Sequence, residues 1–167
     1  SSTALIEYLM MEKTSFNIII GEKEPQIAEQ KFPSAKIISF DILDTAVARD
    51  QLKTADLVIS MLPPTLHLPV AVICADLGIS MLTASYVSDK IQKLSPSFES
   101  KGVCCIMEMG LDPGIDHMSA MRVLDRIKSA GHKLTAFETF TGGLLADDQK
   151  VDNPWQYKFT WNPRNVV

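Results

Sequence analysis

Short apolar runs that alternate with helical texture restrict this chain more than any other feature. FNIII at 16–20, KIISF at 36–40, ADLVISML at 55–62, ISMLT at 79–83 and VCCIMEM at 103–109 are apolar and mostly rich in β-branched residues, and they read as strands. Runs that lack a two-residue period suit strands buried on both faces. Residues 24–31, 45–53, 66–77 and 89–101 read as helices between them, and 3–12 carries Leu5, Ile6, Leu9 and Met10 on one stripe. Consecutive strands separated by helices must cross over. Crossovers make a parallel sheet with helices on both faces, so the pattern predicts an α/β, doubly wound fold.

Local punctuation agrees with this reading. Pro63 and Pro64 stop the strand at 55–62, because a proline brings no amide to a ladder. Gly78 closes the helix at 66–77, Ser88 is placed to cap the next one, and Gly102 stands behind it. Asp112-Pro113-Gly114 is a turn into a long helix that ends near Gly131, with Met118 and Met121 fitting a buried face. Beyond it the texture changes. KLTAFETF at 133–140 and YKFTW at 157–161 alternate apolar and polar, which suits half-exposed strands of a second, mainly antiparallel layer. The expected division is 1–131 for a Rossmann-like domain and 132–167 for the beginning of a second domain.

One part of such a domain is absent from the string. There is no GxGxxG, the first glycine is Gly21, and the chain opens on a helix. The absent first strand is central in the order 3-2-1-4-5-6, so the sheet is expected to fall into two pieces. Ser1 and Ser2 would then lie just past the phosphate loop. The sequence is read as a piece of a longer protein, weak in cofactor binding and inactive by itself.

Composition narrows the function classes. The chain has 16 basic against 20 acidic residues, a net charge of -4, whereas a nucleic-acid binder would show a basic face. The longest apolar run, Leu66 to Ala75, is interrupted by His67 and Pro69 and is too short for a membrane span. Three cysteines, Cys74, Cys104 and Cys105, make neither a disulfide framework nor zinc spacing. They read as reduced, buried thiols of a cytoplasmic protein.

Chemistry is expected at the carboxyl ends of the strands, where open parallel sheets bind their ligands. Ser60, Met61 and Leu62 end one strand and are candidates for cofactor contact; an ordinary strand stopped by prolines is the weaker alternative. Thr83-Ala84-Ser85-Tyr86 follows the next strand. Its hydroxyls and free amides could hold a ribose, an amide or a carboxylate, or simply form a turn before the Ser88 cap. Asp112 lies where a strand end turns into a helix N-terminus, a place that attracts anions. Asp116 and His117 fall in the first helical turn, and a single histidine there is more often structural than catalytic. Lys158 and Arg164 flank Trp155, Tyr157, Phe159 and Trp161.

The strings DLVISMLPPTLH, TASYVSDKI, EMGLDPGIDHMSAM and DNPWQYKFTWNPRNVV together resemble the saccharopine reductases, the glutamate-forming saccharopine dehydrogenases. GLDPGIDH, and DNP followed by YKF-W-P-R, are the specific parts. The resemblance implies an NAD(P)-dependent oxidoreductase of lysine metabolism. It would interconvert saccharopine with glutamate and aminoadipate semialdehyde by reversible hydride transfer at a C–N bond. It implies that Ser85 and Tyr86 meet both cofactor and substrate, and that Asp112 is an active-site carboxylate. Asp112 and Tyr86 become candidates for moving the amine proton or ordering a water. Saccharopine carries three carboxylates, so Arg164 is expected to clamp one of them. The expected partner is a small amino-acid-like substrate, with no nucleic acid, membrane or metal, and with room for a homodimer.

The chain departs from the family at one stretch. Many relatives have Tyr-Cys-Gly-Gly-Leu-Pro-Ala-Pro-Glu where Phe140-Thr141-Gly142-Gly143-Leu144-Leu145-Ala146-Asp147-Asp148 stands here. A reductase of another imine, such as one making a carboxylated polyamine precursor, and a non-catalytic binding relative are the alternative readings. Between NAD and NADP the residues divide. Glu22, at the end of the second strand position, could accept from a ribose 2′-hydroxyl and leans the reading to NAD, while Lys23 beside it could meet a 2′-phosphate.

Overall fold

The computed structural model describes residues 2–12, 16–140, 142, 145–146, 148–149 and 151–159. The chain divides into two compact units, Ser1–Met109 and Gly110–Val167. The break falls after Met109, ahead of the change in strand texture near Gly131.

The first unit is α/β, and every strand pair in it is parallel. Its elements are α1 (Thr3–Met11), β1 (Ile19–Glu22), α2 (Pro25–Lys31), β2 (Lys36–Ser39), α3 (Thr45–Leu52), β3 (Leu57–Ser60), α4 (His67–Leu77), β4 (Ser80–Thr83), α5 (Asp89–Gln92), α6 (Ser95–Ser100) and β5 (Cys105–Ile106). A short 3-10 turn, Pro64–Leu66, leads into α4. The strands form two sheets, β1–β2 and β3–β4–β5. This is the split expected from a sheet without its central strand. The two sheets lie in one unit because Ile42 and Ala48, from the β2–α3 side, are buried in the same core as α4 and β4. Arg49 of α3 also pairs with Asp76 of α4 at 3.0 Å.

That core explains the apolar helix. Val70, Ala71, Ile73, Cys74 and Ala75 of α4 are all buried, together with Met81, Ile91 and Phe98. Each large apolar side chain placed there contributes about 1.5–3 kcal/mol. Gly78 ends α4 in the left-handed region at φ 72°, where Ile79 N–H reaches back to the Cys74 carbonyl at 2.9 Å. A residue with a Cβ would be strained there. Ser88 caps α5 as expected, its Oγ accepting from Ile91 N–H at 3.4 Å.

Several expectations need correction. The helix read at 89–101 is two helices, since Pro96 in the first turn of α6 has no amide to continue the ladder from α5. The strand read at 103–109 is only Cys105–Ile106, because Glu108 takes a left-handed φ of 61°, which an extended ladder cannot hold. The strand read at 16–20 lies at 19–22, and it is not buried on both faces: Ile19 and Glu22 are exposed. The β3–β4–β5 sheet is likewise covered on one face. Val58, Ser60, Met81 and Thr83 turn towards α4, while Leu57 and Ile106 on the opposite face stay 45% and 42% exposed. Of the cysteines only Cys74 is buried; Cys104 is exposed and Cys105 lies between.

The second unit contains α7 (Ile115–Ser129), which ends where Gly131 takes φ 77°. No residue of α7 is buried, so Met118 and Met121 do not face a core among the described residues. Residues 133–140 and 157–159 form no strand. Alternation alone makes no strand, since a ladder needs a neighbour to receive its amides and carbonyls. Thr141, Trp161 and Arg164 lie outside the described residues.

Met81 is fully buried, whereas Met121 is 48% exposed. Met81→Ala is expected to lower unfolding stability by about 2–5 kcal/mol, and Met121→Ala to change it by no more than about 0.5 kcal/mol. Denaturant titration of both variants measures the difference.

Candidate functional site

β3 and β4 pair in register, with Ser60 opposite Thr83 at their carboxyl ends. Both hydroxyls point towards α4, and both residues are buried. The first residue of α4 is His67, only 1% exposed in a helix whose other buried residues are all apolar. Its ring joins the strand ends. Ser60 Oγ lies 2.9 Å from Nδ1, Ser85 Oγ 2.8 Å from Nε2, and Thr83 Oγ1 3.2 Å from Nε2. Ser85 N–H donates to Thr83 Oγ1 at 3.4 Å. A neutral imidazole has one N–H donor and one acceptor nitrogen. Hydroxyls do both, so the set is satisfied with either tautomer.

No charge is needed to hold this cluster. Burial alone lowers the His67 pKa below its ordinary 6.5, with no carboxylate partner to raise it. The ring is therefore a neutral tie between β3, α4 and the residues after β4.

The segment after β4 is held from its other side as well. Glu108 N–H donates to the Ser85 carbonyl at 3.0 Å and Met109 N–H to the Thr83 carbonyl at 3.0 Å. The Glu108 carboxylate accepts Val87 N–H at 3.2 Å. The left-handed backbone of Glu108 is the strain that aims both its amide and its side chain at Ser85–Val87.

The structure thus brings Ser60, Thr83 and Ser85 together, with Ala84 and Tyr86 half-buried beside them. It also limits what Ser60 offers. Its hydroxyl is buried on His67, which leaves the adjoining backbone and the exposed Met61 at the strand end; Leu62 packs against the core. Neither His67 nor Glu108 was singled out by sequence reasoning. His67 reads there as an interruption of an apolar run. The signal that could have found it is that one polar residue heads a helix that is otherwise apolar up to Asp76.

In the second unit, Asp112 is exposed in the turn before α7. The carboxylate that answers the start of α7 is Asp116, whose Oδ1 accepts Gly114 N–H at 2.8 Å and meets His117 Nδ1 at 2.8 Å. Desolvation works to raise the Asp116 pKa, but the His117 and Gly114 hydrogen bonds outweigh it and hold the carboxyl below its ordinary value. Asn153 brackets Tyr157, donating to its carbonyl at 2.8 Å and accepting its amide at 3.3 Å. Tyr157 and Phe159 meet edge to face, centroids 5.3 Å apart. Lys158 is exposed.

At the end of β1, the Glu22 carboxylate accepts the Lys23 amide at 2.9 Å. Lys23 Nζ reaches Asp41, just past β2, at 3.0 Å. A cation at the end of the second strand position fits a phosphorylated ribose. Among the described residues no group of three or more His, Cys, Asp or Glu could hold a metal ion, and no helix is long and apolar enough to cross a membrane.

Comparison with known proteins identifies the family. The family model "Saccharopine dehydrogenase NADP binding domain" matches residues 2–106, and "Saccharopine dehydrogenase C-terminal domain" matches 110–167. The chain is 36% identical over 172 residues to a bovine mitochondrial alpha-aminoadipic semialdehyde synthase, covering 99% of this chain and 18% of that protein. It is 34% identical over 165 residues to the NADP(+), L-glutamate-forming saccharopine dehydrogenase of Schizosaccharomyces pombe, covering 97% and 36%. The solved apo saccharopine dehydrogenase (L-Glu forming) of Saccharomyces cerevisiae superposes with a TM-score of 0.77 at 34% identity, over 91% of this chain and 34% of that one. The chain therefore spans between about a fifth and about a third of the length of these relatives. The family description names NADP, which corrects the lean towards NAD drawn from Glu22.

The His67 pKa has a consequence for stability. Unfolded, the imidazole takes a proton at its ordinary value; folded, it does so only at lower pH. Below about pH 6.5 the unfolded chain binds more protons, so stability present above that pH is lost as pH falls towards the folded pKa. Carboxylates act lower, nearer pH 4. Denaturation midpoints at pH 7.5, 6.5 and 5.5 should fall in that order. His67→Gln should flatten the profile over this window.

Proposed function

The chain belongs to the saccharopine dehydrogenase family, and we propose that in the whole protein it carries much of the cofactor domain of an NADP-dependent oxidoreductase acting on the C–N bond of saccharopine. The observation that carries this reading is the convergence of Ser60, Thr83 and Ser85 on one buried histidine at the carboxyl ends of β3 and β4. Ligands of open parallel sheets bind outside such ends. The relatives' names supply the substrate, saccharopine, with glutamate as a product.

Each residue then has a task. Backbone at Ser60 and Met61, with Leu62 behind them, borders the cofactor, and Ala84, Ser85 and Tyr86 border cofactor and substrate. Bound NADP supplies a hydride acceptor. The protein's own work is to orient the substrate, exclude water and handle one proton. Tyr86 and Asp112 take the roles of proton carrier or water-ordering group. Arg164 anchors a substrate carboxylate through a bidentate contact. Residues 1–131 serve the cofactor and 132–167 begin the substrate domain. A homodimer and a cytoplasmic site accompany this reading, the latter supported by three free thiols.

The direct test is saccharopine oxidation by the full-length protein, followed as NADP reduction. Absence of turnover with saccharopine alongside turnover of another carboxylated secondary amine would favour a related imine reductase. Arg164→Ala in that protein should lower kcat/KM for saccharopine by roughly 30- to 1000-fold, the loss of about 2–4 kcal/mol of charge-assisted binding. Its affinity for NADP should barely change; a loss confined to cofactor binding would remove Arg164 from the substrate site. Lys23→Ala should weaken NADP by about 10- to 100-fold and leave NAD nearly unaffected, read by cofactor titration. Equal losses for both cofactors would take Lys23 away from the 2′-phosphate.

A further inference from the structure

We propose that His67 is a positioning residue that sets the conformation of the Ser85–Tyr86 segment by gripping the Ser85 hydroxyl from an anchor on Ser60. The proposal rests on the reading of Ser85 and Tyr86 as the ligand-binding segment.

The geometry gives the three hydroxyls unequal roles. Ser60 and Thr83 are paired residues of the β3–β4 ladder, and their positions are set by strand hydrogen bonds whatever His67 does. Ser85 lies two residues beyond the end of β4 and is half-buried; its carbonyl is held by Glu108 N–H, and its side chain is held by the ring. The bond from Nε2 to Ser85 Oγ, at 2.8 Å, is the shortest of the three. It therefore restrains the one hydroxyl of the three that lies beyond the paired residues of β3 and β4. The ring is a rigid spacer with its two nitrogens pointed apart. Ser60 on Nδ1 fixes the rotation of the ring, and that rotation places Nε2 in front of Ser85.

The cluster is also unsuited to acid–base work of its own. The ring is almost wholly buried, each nitrogen already has a hydroxyl partner, and no carboxylate faces it. A group so placed acts through what it holds. The proton on Nδ1 or Nε2 further decides whether Ser85 turns its O–H towards the ring or away from it, and so whether it offers a ligand an acceptor or a donor.

The experiment uses the full-length protein with His67→Leu, His67→Gln, Ser85→Ala and the double variant His67→Gln/Ser85→Ala. The first readout is amide hydrogen exchange in the ligand-free protein. The second is the NADP dissociation constant. His67→Leu should speed exchange at Ser85–Val87 by about tenfold or more and weaken NADP by about tenfold, with exchange of Met81 and Leu82 changing little. His67→Gln, which keeps one donor and one acceptor, should recover part of both losses. The double variant should bind NADP no more weakly than the worse of its two single variants, because both substitutions break the same contact. Unchanged exchange at Ser85–Val87 would overturn the proposal. So would losses of His67→Gln and Ser85→Ala that add in full. If His67→Leu does not fold, the His67→Gln cycle decides alone. A wild-type protein that binds no NADP defeats the functional reading instead, and the exchange data still decide whether His67 grips Ser85.

Discussion

The parallel pairing of β3 with β4 is the constraint from which the first unit follows. Two parallel strands that succeed each other in sequence cannot be joined by a tight turn; the chain must cross back over the sheet. Here α4 makes that crossing, so its inner residues meet Val58, Met81 and Cys105 and become the core. Because the crossing leaves the carboxyl end of β3 through the short Pro64–Leu66 turn, the first residue of α4 lies beside both strand ends. That placement brings His67 within hydrogen-bond reach of Ser60, Thr83 and Ser85. Core and candidate site are thus two results of one topological requirement.

The same requirement explains how two separate sheets share one unit. β1–β2 and β3–β4–β5 exchange no strand hydrogen bonds. What joins them is side-chain burial, with Ile42 and Ala48 in the α4 core and Phe40 and Leu52 packed against it. Apolar contact is non-directional and can join two sheets that share no ladder. On the face opposite α4, Leu57, Ile59 and Ile106 stay exposed, with no helix of the described residues packed over them.

Much of this was legible in the residues, and for definite reasons. Apolar runs of strand length, a glycine where a left-handed residue must end α4, and a serine three residues before the Ile91 amide each encode a local decision. What was not legible depends on partners distant in sequence. The extent of β5 is set by Glu108, whose left-handed backbone is held by bonds to Ser85 and Val87 about twenty residues away. Residues 133–140 alternate like a strand but gain no ladder among the described residues. The resemblance found through GLDPGIDH identified the family, and the strand ends were legible as the candidate site through the fold rule alone. The direction of the Ser60 hydroxyl was not, because a strand's period says which face a side chain takes but not what waits there.

His67 shows why such a residue is hard to read from a string. In an apolar helix a histidine looks like a defect, since a buried polar group without partners costs several kcal/mol. Its cost vanishes only when both nitrogens are answered, and the answering groups here come from β3, β4 and the segment beyond. A charged ring there would need a carboxylate, and among the described residues none raises its pKa; desolvation favours the neutral imidazole. A neutral ring has a further property that a carboxylate or an ammonium lacks. It is donor on one side and acceptor on the other, so it passes the orientation of one hydroxyl to the next. The buried end of β3 is in this way tied to the half-buried Ser85, and the order of the core extends past the end of β4 into the segment after it.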